Sequence, residues 1–543
     1  MPTAGPERDR RAHPRERSPP VTASPTTTHA PPGTLSRQNF LVIALLLVST
    51  FVAILNETTM SVAVPVIMDE FGVTAASGQW LMTAFLLTMA VVIPTTGWFI
   101  GRVGTRVAYL TAMSIFSVGT LLAALAPTFG VLLGARVLQA SGTAVLFPLL
   151  MTTVMTLVPA ARRGQVMGNV SLVISVAPAL GPTMSGAVIE IASWRWTFGV
   201  VLPIALIAFA IGTRYVRNTA ERTQAHLDLL SVLLAVGAFG GLVYGMSAFG
   251  ESAQGGAGLP GVPLWAPLAA GAVLLVLFGL RQLSLQKHDD ALLDLRVFRS
   301  RGFSTGLGIL ATGMVAMFGV IILLPMLLQD VLGLTTLQTG LTMLPGGILM
   351  GVLSPGVGRL YDRFGPRPLA VPGLLAVATA MFLLTRVHEG SPAWNVLVAH
   401  VVLSLGLAFV FTPLFTTALS SVRPDMYAHG SATLATLQQL AGAAGTAIFV
   451  AIMSTAARGL EAGGESETSA LAGGIDTAFM VGAVVALVAA VVATTLSKPV
   501  EQDGAPHPHG GSTVDPVDVT DEPLRADPAP LPSAPVQDAP VSR

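Results

Sequence analysis

The chain contains no cysteine, little charge and few aromatic side chains. Without cysteine, disulfides, thiolate metal sites and cysteine nucleophiles are excluded. Only 11% of its 543 residues are Asp, Glu, Lys or Arg, where a soluble domain carries roughly 25%. The 29 basic and 29 acidic residues cancel, so no net basic field favours a nucleic acid, and none is expected as a partner. No G-x-x-x-x-G-K-[ST] stretch is present, which leaves direct nucleotide drive without support. No spacing of His, Asp and Glu suggests a metal site, and none is expected. What fills the chain is apolar: 52% hydrophobic residues and a mean hydropathy of +0.70.

That excess is distributed in long runs. A bilayer core of about 30 Å takes about 20 apolar residues per helix, and windows of that length predict about fourteen spans between residues 40 and 496. Residues 1–36 and 498–543 are rich in Pro and polar residues and read as disordered cytosolic tails. Between them the pattern divides into a six-helix bundle over 37–218, two inserted helices with a cytosolic loop over 219–300, and a second six-helix bundle over 301–497. The expected class is an all-α polytopic membrane protein with the lipid bilayer as its surroundings.

Charge in the breaks alternates. Even-numbered breaks hold Arg102 and Arg106, Arg162 and Arg163, Arg214 and Arg217, Arg296 and Arg299, Arg363 and Arg367, and Arg423, whereas odd ones hold little basic beyond Arg195, Arg386 and Arg458 and carry the acids Asp69, Glu70, Glu251 and Asp330. The positive-inside rule places the even breaks and both termini in the cytoplasm of a plasma-membrane protein. Two even breaks are near copies: Gly97-Trp-Phe-Ile-Gly-Arg-Val-Gly-Thr-Arg106 and Gly358-Arg-Leu-Tyr-Asp-Arg-Phe-Gly-Pro-Arg367. Duplication of this kind marks transporters in which two bundles rock about a central site. The bland reading is a basic tight turn in each half. The functional one is a conformational latch, with Asp362, Arg363 and Arg367 making ion-pair and helix-end contacts across the interface and Arg102 and Arg106 as the first copy. Gly101 stands where the second copy has its acid.

The two loops resemble the loop signature of the major facilitator superfamily. Other segments resemble its branch of fourteen-helix drug:proton antiporters: Leu55-Asn56-Glu57-Thr58; Arg136-Val-Leu-Gln139-Ala-Ser-Gly142 with Pro148; Ala177-Pro178-Ala-Leu-Gly181-Pro182; Trp194-Arg195-Trp196; Leu344-Pro345-Gly346-Gly347; and Gly430-Ser431-Ala432 with Gln438-Gln439. The Leu-Asn-Glu-Thr form is similar to a lincomycin- and multidrug-resistance subgroup. The resemblance implies efflux of small-molecule substrates (drugs or other amphiphilic or cationic organic compounds) across the plasma membrane in exchange for protons, with no cofactor, and a part for Arg136 in proton transfer. A monomer is expected.

Glu57 is the expected proton carrier. A carboxylate near mid-bilayer costs about 2.5–3.5 kcal/mol to insert ionised, so it is expected to take and release a proton as water access changes. Its alternative is a structural hydrogen bond at the outer interface. Arg136 cannot readily lose its charge. It either sets when Glu57 releases its proton or bonds to carbonyls as structure. His400 titrates in a useful range but also reads as packing. Pro178, Gly181 and Pro182 predict a kink and a close helix crossing in the fifth span. Asn56, Gln139, Met60, Phe147, Met317, Phe318 and Phe411 are candidates for lining a promiscuous cavity, or for packed and lipid-facing surface. A dedicated exporter of one metabolite or antibiotic, an importer, a membrane enzyme or a sensor are rival readings; enzyme chemistry is not expected.

Overall fold

The computed structural model describes residue 1 and residues 36–218, 226–253 and 262–498. Of the two tails read above as disordered, all but Met1, Ser36 and Lys498 lies outside the described residues. The described residues form helices joined by turns, with no strand among them. The first bundle is built from α1 (Arg37–Phe71), α2 (Ala75–Val92) continued by α3 (Thr96–Val103), α4 (Thr105–Ala124), α5 (Phe129–Leu157), α6 (Arg163–Ile191) and α7 (Arg195–Tyr215). Two inserted helices follow, α8 (Leu229–Ala253) and α9 (Trp265–Leu285). The second bundle comprises α10 (Arg301–Met326), α11 (Thr336–Phe364), α12 (Arg367–Leu384), α13 (Ala393–Ser420), α14 (Tyr427–Ala462) and α15 (Glu467–Ala493). Thirteen segments are long and apolar enough to cross a bilayer, and α6, bent by 40° between Pro178 and Thr183, makes the fourteenth.

Helix starts follow from local chemistry. Ser36, Thr74, Thr128, Ser300 and Ser466 each accept a backbone N–H of the first turn, satisfying donors that a helix leaves open. Thr335 and Gln338 close a reciprocal capping box at α11. Apolar side chains cover the outside as well as the core, among them Val488 and Val491 of α15, as expected where the surroundings are hydrocarbon. Helix contacts depend on small residues. Gly142 of α5 lies against Ala112 O and Phe116 of α4, Gly445 of α14 against Val315 of α10, and Gly373 and Gly406 of α12 and α13 face each other's carbonyls.

The duplicated loops are duplicated in backbone. Gly104 ends α3 with φ 81° and ψ 164°, and Gly365 ends α11 with φ 79° and ψ −173°. This region is essentially closed to residues with a Cβ. Each glycine N–H closes the preceding helix, on Ile100 O and Tyr361 O respectively. The Arg-x-Gly-x-Arg spacing is therefore a backbone requirement as well as a charge pattern. Both loops lie at the end of the molecule that also holds Arg162, Arg163, Arg423 and Lys498, called here the basic end. The opposite, or far, end carries Glu70, whose carboxylate accepts from Arg195 Nη1 and Trp194 Nε1, both at 2.6 Å. Those two bonds hold it below the usual carboxylate range.

The inserted pair docks on both bundles. Trp80 of α2 stacks on Tyr244 of α8, and Phe239 and Phe278 pack with Ala90 and Ala432. The hairpin is pinned by Asp228, which receives Nε and Nη2 of Arg281 at 3.0 Å and the Ser231 hydroxyl at 2.6 Å. The arginine bonds, with help from Ser231, bring Asp228 down to about 2. Alanine at Gly365 is expected to cost about 1–3 kcal/mol through the forced positive φ, read as a lower thermal midpoint of the purified protein. An unchanged midpoint would show that the loop relaxes freely.

Candidate functional site

The permanent cation in the middle of the first bundle is held on several sides. Arg136 is 1% exposed. Its Nε donates to Leu81 O at 3.3 Å, its Nη1 to Gln139 Oε1 at 3.0 Å, and its guanidinium lies 4.1 Å from the centre of the Phe85 ring. Gln139, one turn along α5, is oriented in turn by its Nε2, which donates to Thr120 Oγ1 at 3.1 Å and reaches Asn56 Oδ1 at 3.5 Å. Four helices, α1, α2, α4 and α5, thus converge on one charge. An arginine in a membrane-spanning bundle needs this degree of support.

Glu57 follows Asn56 on α1, about 100° further round the helix. Its half-buried carboxylate interacts electrostatically with Arg136, but no salt bridge joins them among the described residues. Charge at Glu57 is therefore felt by Arg136 without fixing it. The next residue, Thr58, meets Gly181 of α6 so closely that a Cβ on the glycine would overlap the Thr58 hydroxyl. Pro178 precedes the bend in α6 and Gly181 lies within it; the Pro182 side chain lies outside the described residues. His400 sits in the second bundle, against Gly346 of α11, with Nδ1 unpartnered.

Several cavity candidates are placed elsewhere than expected. Met60 is fully buried with Ile67, Leu81 and Phe198 inside the first bundle, so it fills core rather than lining space. Asn56 and Gln139, also fully buried, serve the Arg136 network. Phe411 is buried within the second bundle against Phe415. Phe147 does lie between bundles, edge-on to Phe415 with centroids 6.3 Å apart. Met317 is half-buried against the second-bundle core, and Phe318 lies over Gly442. Nearby, Leu310, Met314, Leu437 and Gln438 line a narrow crevice between α10 and α14.

At the basic end the bundles close on each other. Asp362 Oδ1 and Oδ2 accept the backbone N–H groups of Gly164 and Gln165 at 2.7 and 2.9 Å. The contact is a carboxylate seated on the N-terminus of α6, where open donors and the helix dipole both favour an anion. Gly358 and Gly164 permit the approach: a side chain on either would strike the other segment. The expected cross-interface ion pair is corrected here. Arg363 is exposed and lies over its neighbour Phe364, and Arg367 is exposed. Arg106 donates to Thr213 O and Val216 O, staying within the first bundle, and Arg102 is exposed. The arginine reaching across is Arg163, bonded to Met155 O and Val158 O and lying over Tyr427. Lys498 Nζ caps the contact on Asp362 O at 3.0 Å.

In the first copy, Gly97 meets His429 and Ala428 O at the start of α14, the counterpart of Gly358 meeting α6. Gly101 offers no acid there. Instead the segment between α9 and α10, expected to be a simple loop, packs in: Leu292 and Leu293 are buried, their N–H groups donate to Gln282 Oε1, and Asp294 N donates to His429 Nδ1. Asp294, 4% exposed, is clamped by Arg296, whose proton the two flanking aspartates, Asp294 and Asp289, hold more tightly. The signal in the sequence was the run of apolar residues Ala291-Leu292-Leu293 inside a charged break.

Each Asp362 bond is charge-assisted and carries about 1.5–3 kcal/mol. Asp362→Ala is therefore expected to raise the alkylation rate of a cysteine placed at Ser420, beside Met155 in the closed interface, by tenfold or more. The natural absence of cysteine makes that label unique. An unaltered rate would show that the closure does not depend on this carboxylate.

Comparison with known proteins agrees with this architecture. The sequence model described as Major Facilitator Superfamily matches residues 46–446. The lincomycin resistance protein LmrB of Listeria monocytogenes is 37% identical over 454 residues, covering 82% of this chain and 94% of that protein. A multidrug resistance protein B homolog of Mycobacterium tuberculosis is 28% identical over 409 residues, covering 75% and 74%. Among solved structures, the human organic anion transporter MFSD10 (TETRAN) has a TM-score of 0.60 at 15% identity, over 84% of this chain and 100% of that one, a likeness of fold alone. With the duplicated glycine turns, the paired six-helix bundles and a family match across most of its length, the chain belongs to the major facilitator superfamily.

Proposed function

We propose that this transporter expels amphiphilic or cationic organic compounds across the plasma membrane in exchange for protons, with its basic end and both termini in the cytoplasm. The observation carrying this reading is the Glu57–Arg136 pair: a half-buried carboxylate in the far half of the first span, coupled through space to a fixed cation that it does not bridge. A protonated Glu57 leaves Arg136 to its own network. An ionised Glu57 adds a favourable interaction with Arg136 at a desolvation cost. The two protonation states therefore favour different arrangements of α1, and a proton taken from outside and released inside can drive a cycle between them.

The relatives' names are what supports outward drug movement. The basic end is closed by Asp362 on α6, and on this reading the proton enters from the far side. Relatives bear the names of lincomycin and multidrug resistance proteins, which makes lincomycin a first compound to test. The energy suffices: one charge moving through 100 mV supplies about 2.3 kcal/mol, and each pH unit about 1.4 kcal/mol.

In proteoliposomes, Glu57→Gln is expected to abolish substrate-driven proton movement while leaving substrate binding measurable, for instance by tryptophan quenching. Full proton release by that variant would remove the basis of the reading. Arg136→Lys, which keeps charge but not the planar fork, is expected to lose tenfold or more in transport because one ammonium cannot reproduce the contacts with Leu81 O, Gln139 and Phe85. In a susceptibility panel, protection against several unrelated compounds supports broad export. Protection against a single one would narrow the protein to a dedicated exporter.

A further inference from the structure

Away from the interface, a groove of about 460 Å³ opens between the far ends of α12 and α15, lined by Phe382, Thr385, Arg386, Asp476, Met480 and Val481. Its composition is unlike the rest of the apolar exterior. Asp476 Oδ1 is buried and has no hydrogen-bond partner, a costly state for a carboxylate oxygen unless a donor arrives. Arg386 lies over the Phe382 ring, 5.0 Å from its centre, and forms no salt bridge with Asp476 among the described residues. The groove therefore presents an anion and a cation, held apart. His388, exposed on the following loop, interacts electrostatically with Asp476. The hydroxyls of Thr385 and Thr477 are turned to their own helices, on Phe382 O and Gly473 O, leaving the two charges as the polar features.

Helix lengths fix the depth. α12 has 18 residues, about 27 Å at 1.5 Å per residue, close to the hydrocarbon thickness of about 30 Å. It starts at the basic end, so Thr385 and Arg386 emerge at the opposite boundary of the hydrocarbon, where headgroups lie. α14 has 36 residues and overshoots that boundary, so α15 begins outside it and Asp476, nine residues in, descends to the level of Arg386. Below the charges, Met480 (42% exposed), Val481 (39%) and Val484 (53%) continue the groove as an apolar track down α15.

We infer that this groove binds one phospholipid carrying a primary ammonium and a phosphate, the ammonium donating to Asp476 and the phosphate lying on Arg386, with an acyl chain along Met480 and Val484. An ethanolamine headgroup satisfies both charges and supplies N–H donors. A choline headgroup has the same net charge and no N–H, and a glycerol headgroup has the phosphate without the cation. The site is independent of what is transported and of Glu57.

The test compares lipid retained on the detergent-purified protein, by native mass spectrometry, after exchange with phosphatidylethanolamine, phosphatidylcholine or phosphatidylglycerol of matched chains. Retention of the ethanolamine lipid is expected to exceed that of the choline lipid by about tenfold, the equivalent of one charge-assisted hydrogen bond. Asp476→Asn is expected to abolish the preference and Asp476→Glu to keep it, which separates loss of the site from misfolding. Arg386→Gln is expected to lower retention of both zwitterionic lipids. Equal retention of the ethanolamine and choline lipids by the unaltered protein would overturn the inference. So would a preference surviving in Asp476→Asn, or stronger retention of phosphatidylglycerol.

Discussion

A guanidinium that cannot shed its proton, placed in the middle of a hydrocarbon-spanning bundle, dictates the rest of the first half. Arg136 has no carboxylate within salt-bridge distance among the described residues, so its charge is dispersed over a carbonyl, an amide oxygen and an aromatic face. Gln139 could not serve it without being oriented by Thr120 and Asn56. α1, α2, α4 and α5 are thereby committed to one packing. The remaining freedom lies in Glu57, close enough to sense the cation and not bonded to it. A tight ion pair would have been a fixed structural element; a loose one responds to protonation.

The two halves share a backbone but close differently. In both, a glycine-terminated helix lies against the start of a helix in the other half, Gly358 on α6 and Gly97 on α14. In the second copy a carboxylate completes the contact, because backbone N–H groups at a helix start are already aimed at the anion. In the first copy the acid is replaced by Gly101, and the inserted segment around Leu292–Asp294 occupies the neighbourhood of His429 instead. The insertion is thus more than a spacer between bundles, since it rests on the same helix start that the missing acid would have addressed.

Much of this was legible in the residues. Hydropathy runs located the spans, alternating arginines ordered the breaks, and the repeated Arg-x-Gly-x-Arg located two turns whose φ only glycine tolerates. What could not be read was direction around each helix. Asn56 and Glu57 are adjacent in sequence and differ by 100° in facing, so one became core and the other is only partly buried. Met60 and Phe411 have cavity-like chemistry but face inward, where the same chemistry makes core. The basic loops suggested ion pairs, whereas backbone donors took the acid and the nearby arginines turned to carbonyls or solvent. Periodicity in a uniformly apolar helix does not mark an inner face, which is why side-chain placement was lost while topology survived.

One helix touches both the charge site and the closure. α6 begins with the N–H groups seated on Asp362 and, within its 40° bend, brings Gly181 against Thr58, the residue after Glu57. Any movement of α1 that accompanies protonation must be accommodated at Gly181, because the contact there has no slack. A straight helix would pass that movement rigidly to its start; a bent one can absorb part of it by changing the bend. On the proposed proton exchange, the bend would set how strongly Glu57 and the basic-end closure are coupled, and Asp362 how much energy that coupling must overcome. Two bonds of about 1.5–3 kcal/mol each amount to about 3–6 kcal/mol, which one proton matches only at the lower end, where roughly 2.3 kcal/mol from 100 mV is joined by about 1.4 kcal/mol per pH unit. A stronger latch, such as a buried ion pair, would have held the protein in one state.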